Sequence, residues 1–291
     1  MRHDPRITPA RGDLAAAHLE GEVEAERFVS PVRRMVCAPV APVSATPDGS
    51  AEMTTQLLWG EAFDAYEEEG LWAWGQALAD GYVGYVPRTC LDAPLEAAPT
   101  HRVAALTAPV YPLPDFKARP GGQIPYGARV AVAETVEGNQ ATYAGLAGGG
   151  FLAAAHLAPL EAPAADWAGE AERFLGTPYL WGGRAALGID CSALLQLALD
   201  ACGIDCPRDT DMQAGAVGRT LAQGTAPRRG DLVFWKGHVG VMLDADRMLH
   251  ANIHHMAVAA EPLSEAAARI AAKGGGGVTR HARIDGEAEH G

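Results

Sequence analysis

The sequence lacks the features that mark several specialised protein classes. It has no basic excess, since 23 Lys and Arg stand against 36 Asp and Glu in 291 residues, for a net charge of −13. Nucleic acids are bound through clustered positive charge, so a nucleic-acid partner is not expected. No run of about 18 consecutive apolar residues occurs, so no membrane-spanning helix is expected. The N-terminal stretch lacks the uninterrupted apolar core of a secretory signal, which predicts a cytoplasmic protein.

Cysteines are also few. The five are Cys37, Cys90, Cys191, Cys202 and Cys206, an odd number with irregular spacing. This pattern does not support a disulfide framework. Cys202 and Cys206 form a C-x3-C pair, but no second pair of ligands stands at zinc-finger spacing. A structural zinc ion is therefore not expected.

Four segments differ in their sequence pattern. They are a polar arm with a short helix around 12–20, two β-rich segments and a final α+β segment, with bounds 1–30, 31–95, 96–160 and 166–291. In the β-rich segments, short apolar runs are broken by Gly, Pro and Asp at intervals of roughly ten residues, which is typical of small β-barrels. Both segments also share a six-residue pattern, at 57–62 and 124–129. It consists of Leu or Ile, then any residue, then Trp or Tyr, then Gly and two further residues. We therefore predict two tandem barrels.

The last segment has helical patterns first and strand patterns later. Asp166 is a good N-cap for an amphipathic helix that stops at Gly176, and a second helix, CSALLQLALDACG, stops at Gly203. TPYLWGGRAALGID between these helices is predicted to be loop. GDLVFWK, HVGVMLD and RMLHAN predict antiparallel strands, SEAAARIAAKGGGG predicts a helix, and VTRHARI predicts a last strand. This order indicates an α+β domain.

Cys191 begins the second helix, and its position allows two interpretations. At helical spacing it shares a face with Leu194, Leu195, Ala198 and Cys202. Free cysteine is among the most often buried residue types, so packing is the default. However, the partial positive charge and free N–H groups of a helix N-terminus stabilise a thiolate and can hold the oxyanion of a tetrahedral intermediate.

Two histidines downstream favour the catalytic interpretation of Cys191. His238 stands at the start of a predicted strand, between glycines, where it can act as the base for the thiol. His250 follows 12 residues later, which places it on the next antiparallel strand. From there its imidazole can orient that of His238. Cys, His and a third polar residue in this chain order are the parts of a papain-like triad.

A run of motifs across the last segment resembles a known family. FLGTPYLWGGRAALGIDCSALLQLAL, followed by PRDTDMQ, RRGDLVFW, HVGVML and LHAN, resembles the NlpC-type cysteine peptidases of bacterial cell-wall peptides. The resemblance covers about 167–260, and the two preceding barrels resemble the bacterial SH3-like domains that often accompany this fold. It implies an α+β protein with a papain-like NlpC-type catalytic domain preceded by two small SH3-like β-barrels. Ala193 is a departure, because the family usually has glycine after Asp-Cys-Ser.

Within this family, two barrels, a third-position histidine and no signal peptide resemble the γ-D-glutamyl-L-diamino-acid endopeptidases of the dipeptidyl-peptidase VI type. The implied substrate is a murein-derived peptide with a free N-terminal L-Ala, then D-Glu linked through its γ-carboxyl to a diamino acid. No cofactor is implied. Cys191 would be the nucleophile, His238 the base and His250 the orienting residue. The residues expected to bind substrate are Glu61, Tyr82, Tyr179, Trp181, Asp190, Ser192, Arg208, Asp209 and Thr210.

These binding residues have different expected contacts. Tyr179 would support the oxyanion and Trp181 would form a pocket wall, while the polar residues near the nucleophile would meet the polar ends of the substrate. Glu61 and Tyr82, with Tyr85 as the alternative to Tyr82, would hold the free ammonium where the first barrel closes the cleft. A closed end implies an enzyme that removes dipeptides rather than a general hydrolase.

Each binding assignment has a simpler alternative. Glu61 would be a solvated strand residue, and Tyr82 and Tyr85 barrel aromatics with hydroxyl groups at the rim. Trp181 would be plain core, and Arg208 would only pair with a nearby carboxylate at the surface.

The sequence also allows a metal site and two other functions as alternatives. His250 and His254 have the H-x3-H spacing of a zinc-binding helix, and His255 is adjacent. Because this segment is predicted as strand and loop and lacks H-E-x-x-H, no metal is expected. The alternative functions are an amidase or acyltransferase on the same fold, and a non-enzymatic wall-peptide binding module. An intact triad argues against the binding module.

Overall fold

Two compact units, Met1–Ala162 and Pro163–Gly291, make up the chain in a computed structural model that describes residues 3–284. The arm and both β-rich segments belong to the first unit, and the α+β segment belongs to the second. The end of that last segment, 285–291, lies outside the described residues. Among the described helices, none combines the length and apolar character needed to cross a membrane.

The N-terminal segment forms a small sheet, so the predicted helix around 12–20 is wrong. Its strands are β1 (Ala10–Arg11), β2 (Leu14–Ala16) and β3 (Phe28–Val29), and only Ala17–Leu19 is helical, as a single 3₁₀ turn. Leu14 and Ala16 pack against Tyr66 and Trp74. Burial of this alternating face against the neighbouring barrel outweighs the helix propensity of the Leu-Ala-Ala-Ala run.

The first barrel is a seven-stranded antiparallel sheet around one core. Its strands are β4 (Val32–Val36), β5 (Val40–Ser44), β6 (Met53–Leu58), β7 (Ala62–Glu69), β8 (Trp72–Ala77), β9 (Val83–Pro87) and β10 (Leu91–Asp92). Their order in the sheet is β10-β4-β7-β8-β9-β5-β6. Val36, Leu57, Phe63 and Val86 fill the core from alternate strand positions.

The second barrel has the same size but is divided into smaller sheets. Its strands are β11 (His101–Val103), β12 (Thr107–Val110), β13 (Gly122–Pro125), β14 (Arg129–Val130), β15 (Val132–Glu137), β16 (Thr142–Leu146), β17 (Phe151–Ala153) and β18 (Leu157–Pro159). The sheets are β14-β11-β18, β12-β13 and β15-β16-β17. Val103, Ile124, Val130 and Leu152 form their shared core.

The repeated Trp-Gly and Tyr-Gly pattern marks equivalent turns in the two barrels. Gly60 follows β6 with φ of 81°, and Gly127 follows β13 with φ of 84°, a backbone conformation that favours glycine. A Cβ atom on Gly60 would lie 2.0 Å from the carbonyl oxygen of Arg129. Trp59 packs against the core of the second barrel. This turn therefore connects the barrels and cannot accommodate a side chain at Gly60.

The second unit packs helices against a six-stranded antiparallel sheet, and the fold class implied by the resemblance is confirmed. Its elements are α1 (Trp167–Glu172), β19 (Arg184–Ala185), β20 (Gly188–Ile189), α2 (Cys191–Ala201), α3 (Thr210–Ala216), β21 (Arg219–Thr220), β22 (Asp231–Trp235), β23 (His238–Met242), β24 (Arg247–Asn252), β25 (Ala257–Pro262), α4 (Leu263–Ala272) and β26 (Arg280–Arg283). The sheet order is β21-β26-β22-β23-β24-β25. The predicted helices and strands are present. The sequence prediction missed α3, β21 and β25, and its loop contains the short β19–β20 hairpin.

Helix α2 is buried on almost every side. Leu194, Leu195 and Ala198 are at most 1 % exposed, as predicted for the face that anchors the helix. Cys191 is 9 % exposed, whereas Cys202, expected to be the buried cysteine, is partly exposed at the helix C-cap. Cys191 therefore begins a helix whose position is fixed by core packing along its length.

Candidate active site

Asp190 caps the helix that begins at Cys191. Its Oδ1 accepts a hydrogen bond of 2.8 Å from the backbone N–H of Ala193, and its Oδ2 accepts one of 3.0 Å from Gly182. The first contact is the usual bond of an N-cap carboxylate to the third helical residue. The second connects the helix start to the preceding loop. Asp190 thereby fixes the backbone on both sides of the candidate nucleophile.

Arg208 pairs with Asp190 in the interior of the unit. Its Nη2 lies 2.7 Å from Asp190 Oδ2, its Nη1 lies 3.0 Å from Oδ1, and Nη1 also donates to Ser192 Oγ at 2.7 Å. The Arg208 side chain is 1 % exposed. The simpler alternative, pairing with a carboxylate, therefore describes the contact, although the pair is buried and not at the surface. These bonds position Cys191, and substrate contact by Asp190, Ser192 or Arg208 stays a prediction.

The Cys191 thiol is buried beside a hydroxyl group and a backbone N–H group. Its Sγ is 3.8 Å from Thr210 Oγ1 and contacts the backbone N–H of Val239, the residue after His238. Burial, followed by the charge of Asp190, raises the pKa of the thiol to about 11. Burial is the larger of the two effects, and the capping carboxylate adds to it by opposing the positive end of the helix. Both effects favour the neutral thiol at neutral pH.

Tyr179 and Trp181 lie on the loop before β19. Tyr179 is half-buried, and burial together with the nearby Cys191 raises the pKa of its phenol. Its backbone N–H donates to the carbonyl of Met256 at 2.9 Å. Trp181 is 58 % exposed, so the plain-core alternative for this residue is wrong. The oxyanion role of Tyr179 and the pocket role of Trp181 stay predictions.

Asp209 and Thr210 begin helix α3. Asp209 is its half-buried N-cap residue, and Thr210 is buried with its hydroxyl facing Cys191. Gln213 in the same helix was not singled out from the sequence. Its buried Nε2 donates to the carbonyl oxygens of Ser192, at 2.9 Å, and Pro207, at 2.8 Å. Gln213 therefore connects the segment that contains Arg208 to the first turn of α2. Its place in the motif PRDTDMQ was the sequence feature that could have indicated this role.

His238 and His250 lie on neighbouring strands and are hydrogen-bonded. Nε2 of His238 is 2.8 Å from Nδ1 of His250. Strands β23 and β24 pair through Val241 with Leu249 and Met242 with Met248, so one more step places Gly240 beside His250. A Cβ atom on Gly240 would be 3.6 Å from the Cβ of His250. The two imidazoles therefore meet diagonally across the ladder.

Both imidazoles are electrically neutral at neutral pH. Burial, then the neighbouring His250 and Arg269, lowers the pKa of His238 to about 3. Burial also lowers the pKa of His250 to about 4, against the opposing effect of Glu261. A neutral imidazole has one nitrogen with a free lone pair, so His238 is in the form that a general base requires.

Glu261 continues the row of histidines and was missed from the sequence. Its Oε1 is 2.7 Å from His250 Nε2, and Arg269 of α4 donates to both carboxylate oxygens. Burial opposes ionisation, but the bonds from Arg269 and His250 lower the pKa of Glu261 to about 2. The available signal was a single charged residue in the apolar run AVAAEPL. The run does not show which strand lies beside this residue in the sheet.

One group of described residues has the composition of a metal site. Ligand atoms of His250, His255 and Glu261 lie within 4.8 Å of one another. Arg269 forms an ion pair with the same carboxylate, and His255 Nδ1 is hydrogen-bonded to Asn252 Oδ1 at 3.0 Å. A cation beside the carboxylate opposes metal binding electrostatically. The expectation that the site works without a metal stays a prediction.

The residues predicted to hold the free ammonium lie in the first unit. Glu61 is 7 % exposed, and its Oε2 accepts a hydrogen bond of 3.0 Å from the N–H of Leu58, so it is not a solvated strand residue. Tyr82 is 6 % exposed. The hydroxyl of Tyr85 accepts a bond of 2.8 Å from Arg11. Ammonium binding by Glu61 and by Tyr82 or Tyr85 stays a prediction.

Comparison with family models agrees with the motif-based resemblance. Residues 176–271 match the NlpC/P60 family, and residues 43–91 match the bacterial dipeptidyl-peptidase SH3 domain. Members of the NlpC/P60 family are cysteine peptidases. The first match contains Cys191, His238, His250 and Glu261.

Curated relatives share the C-terminal part of the chain. Dipeptidyl-peptidase 6 of Lysinibacillus sphaericus is 37% identical over 82 residues, covering 28% of this chain and 29% of the relative. The γ-D-glutamyl-L-lysine dipeptidyl-peptidase of Bacillus subtilis is 40% identical over 86 residues, covering 27% and 28%. The region of this chain that matches therefore covers less than a third of the length of each of these relatives.

Solved structures share the fold over more of the chain. An NlpC/P60 family protein from Bacillus cereus matches with a TM-score of 0.73 at 20% identity, covering 87% of this chain and 99% of that one. An NlpC/P60 endopeptidase from Photobacterium damselae matches with a TM-score of 0.58 at 13% identity, covering 91% and 74%. These likenesses concern the fold. The chain therefore carries an NlpC/P60 domain, from a family of cysteine peptidases, C-terminal to a bacterial dipeptidyl-peptidase SH3 domain.

Proposed function

We propose that the chain is a cysteine peptidase that hydrolyses the γ-D-glutamyl–diamino-acid bond of peptidoglycan stem peptides with a free N-terminal L-Ala. The observation that carries this proposal is the 2.8 Å hydrogen bond between His238 and His250, with Val239, the next residue, against the sulfur of Cys191. A thiol, a base and a residue that orients the base are the parts needed for acyl transfer. The name of the Bacillus subtilis relative, γ-D-glutamyl-L-lysine dipeptidyl-peptidase, specifies the same class of bond, and the Lysinibacillus sphaericus relative is named a dipeptidyl-peptidase.

The first half of the reaction forms a thioester. Cys191 Sγ attacks the γ-carbonyl carbon while its proton moves to His238. The carbonyl oxygen becomes an oxyanion, for which N–H groups in the first turn of α2 and the phenol of Tyr179 are the proposed donors. The C–N bond then breaks, and the amine of the diamino acid leaves with the proton held by His238. L-Ala-γ-D-Glu remains attached to sulfur.

The second half releases the dipeptide. Water attacks the thioester carbon and gives one proton to His238, which returns it to the departing sulfur. Because the proposed thiol starts neutral, the proton must move during attack and not before it. The proposed requirement for a free ammonium selects peptides already cut from the glycan, where L-Ala is no longer acylated. The proposal therefore includes a role in recycling released murein peptides in the cytoplasm.

The test uses L-Ala-γ-D-Glu-meso-diaminopimelate as substrate. The wild-type chain should release L-Ala-γ-D-Glu, Cys191→Ala should release none, and the matched control Cys202→Ala should retain activity. Undiminished release by Cys191→Ala would overturn the proposal. Cleavage of the N-acetylated peptide at the same rate would remove the dipeptidyl specificity but leave the peptidase. Transfer of the dipeptide to an added amine in preference to water would identify an acyltransferase instead.

A further inference from the structure

Glu261 lies at the end of a hydrogen-bonded row that starts at His238. The row crosses three adjacent strands, β23, β24 and β25, in steps of 2.8 Å and 2.7 Å. His250 pairs with Ala259 across the ladder, so Glu261, two residues further, is its diagonal neighbour on the same face. His250 is 1 % and Glu261 8 % exposed. Water therefore cannot easily replace either contact.

The charge state of Glu261 is fixed from its other side. Arg269 lies on α4, the helix that follows β25, and donates hydrogen bonds from Nη1 and Nη2 to the two carboxylate oxygens of Glu261. An arginine is always protonated, so the carboxylate facing it is an anion and can only accept hydrogen bonds. The 2.7 Å contact with His250 must then be a bond in which Nε2–H of His250 donates to Glu261.

This direction determines the rest of the row. A neutral imidazole carries one N–H, so with the proton on Nε2 the Nδ1 of His250 can only accept. The contact between the histidines is then a bond in which Nε2–H of His238 donates. The only nitrogen of His238 left with a lone pair is Nδ1. The row thus defines which nitrogen can receive the proton of the thiol.

We propose that Glu261, held by Arg269, is a positioning residue that sets the tautomers of His250 and His238 and so leaves Nδ1 of His238 as the base for Cys191. The inference deepens the proposed function and rests on it for the identity of the catalytic pair. Glu261 does not contact the reacting atoms. It acts through His250, as the second partner of a histidine does in other sites where ring orientation and tautomer matter.

Other charged groups near the row do not provide the same contact. His255 Nδ1 is 3.9 Å from Glu261 Oε1. Asn252 Oδ1 is hydrogen-bonded to both the backbone N–H and the ring Nδ1 of His255. On α4, Arg269 acts directly on Glu261, and the exposed Glu265 acts on Arg269. Without the carboxylate, Arg269 would face His250 uncompensated, which disfavours any positive charge on the histidines.

The first test needs no substrate. In the ¹⁵N-histidine-labelled full chain at neutral pH, nitrogen NMR should show both His238 and His250 as neutral Nε2–H tautomers, with assignments from single histidine substitutions. An Nδ1–H tautomer at His250 would overturn the inference. Because this readout is independent of peptide cleavage, it separates failure of the inference from failure of the proposed function.

The second test replaces the carboxylate with an amide of the same shape. In Glu261→Gln a single oxygen must serve both Arg269 and His250, and the NH₂ group can force His250 into the Nδ1–H tautomer. We expect kcat to fall about 10- to 100-fold with little change in KM. Losses of this size are typical when a residue that hydrogen-bonds to a metal-bound histidine is replaced. Glu265→Gln, a neighbouring exposed carboxylate, should stay within about twofold of wild type.

A merely structural role for Glu261 gives a different result. It would lower thermal stability while leaving the histidine tautomers and kcat of the folded fraction at their wild-type values, and this outcome would overturn the inference. Arg269→Lys, which keeps a cation beside the carboxylate, should preserve both tautomers and retain more kcat than Glu261→Gln. Equal loss in the two variants would also count against a role for the carboxylate itself.

Discussion

Arg208 and Asp190 form a buried bidentate ion pair at the start of the helix that carries Cys191. The two bonds measure 2.7 and 3.0 Å, and the side chains are 1 % and 9 % exposed. Asp190 in turn caps α2 through Ala193. The position of the nucleophile therefore depends on a charge pair that needs both partners, since either one alone would be a buried charge without compensation.

Removing one partner of this pair should destabilise the second unit strongly. Arg208→Ala should lower the free energy of unfolding by about 3–5 kcal/mol, because it leaves Asp190 buried and unpaired. The control Arg247→Ala removes an exposed pair with Asp244 and should cost at most about 1 kcal/mol. Urea unfolding monitored by tryptophan fluorescence measures both. If Arg208→Ala is as stable as the control but has a raised KM, Arg208 serves the substrate instead.

The rate at which iodoacetamide alkylates Cys191 should continue to increase as the pH rises well above 7. The thiolate reacts with iodoacetamide, and burial raises the pKa of this thiol to about 11, so the thiolate fraction is small at pH 7 and grows up to about that value. Mass spectrometry of the peptide that contains Cys191 gives the alkylation rate separately from the other cysteines. A rate that is already constant below pH 7 would instead indicate a thiolate–imidazolium pair.

Glu61 should matter only for substrates with a free amino terminus. Glu61→Gln keeps an oxygen that can accept from Leu58 but removes the negative charge. If the carboxylate binds the ammonium, KM for L-Ala-γ-D-Glu-meso-diaminopimelate should rise on the order of tenfold, since a hydrogen bond to a charged group contributes about 1.5 kcal/mol or more. The exposed Glu52→Gln is the control. An unchanged KM in Glu61→Gln would assign Glu61 to the turn alone.

Acid should remove the contribution of Glu261 to stability. Folding lowers the pKa of Glu261 from 4.5 to about 2, so its contribution is complete above pH 4.5 and is lost as pH falls toward 2. His238 and His250, whose pKa values are lowered on folding, also reduce stability as pH falls below 6.5. The difference in unfolding free energy between wild type and Glu261→Gln isolates the carboxylate. It should be constant from pH 7 to 5 and shrink below pH 4.5.

A difference that grows on acidification would contradict the assigned direction of the Glu261 pKa. Glu265→Gln again provides the comparison, because Glu265 is an exposed carboxylate on α4, the helix that carries Arg269. Its difference from wild type should stay small at every pH, as expected for a solvated surface charge.

The elements of the site followed from local patterns. Asp190 before CSALLQLALDA is recognisable as a helix N-cap, and the observed helix begins at Cys191. The strands of His238 and His250 were recognisable from their apolar runs and short spacing, and they are neighbours in the sheet. The strand Leu14–Ala16 was not predictable in this way, because Leu14 and Ala16 pack against Tyr66 and Trp74 from elsewhere in the chain.

The chain order of the thiol and the two histidines is visible in the sequence, and the helix that starts at Cys191 was predictable because a helix start depends on neighbours within a few residues. The fold class followed from the resemblance of longer motifs to a known family. Three features became visible only in the folded structure: the burial of Arg208 against Asp190, the burial that raises the pKa of the Cys191 thiol, and the completion of the histidine row by Glu261 and Arg269. These features depend on strand register and on the loss of water around charges. Both arise only when distant segments pack together.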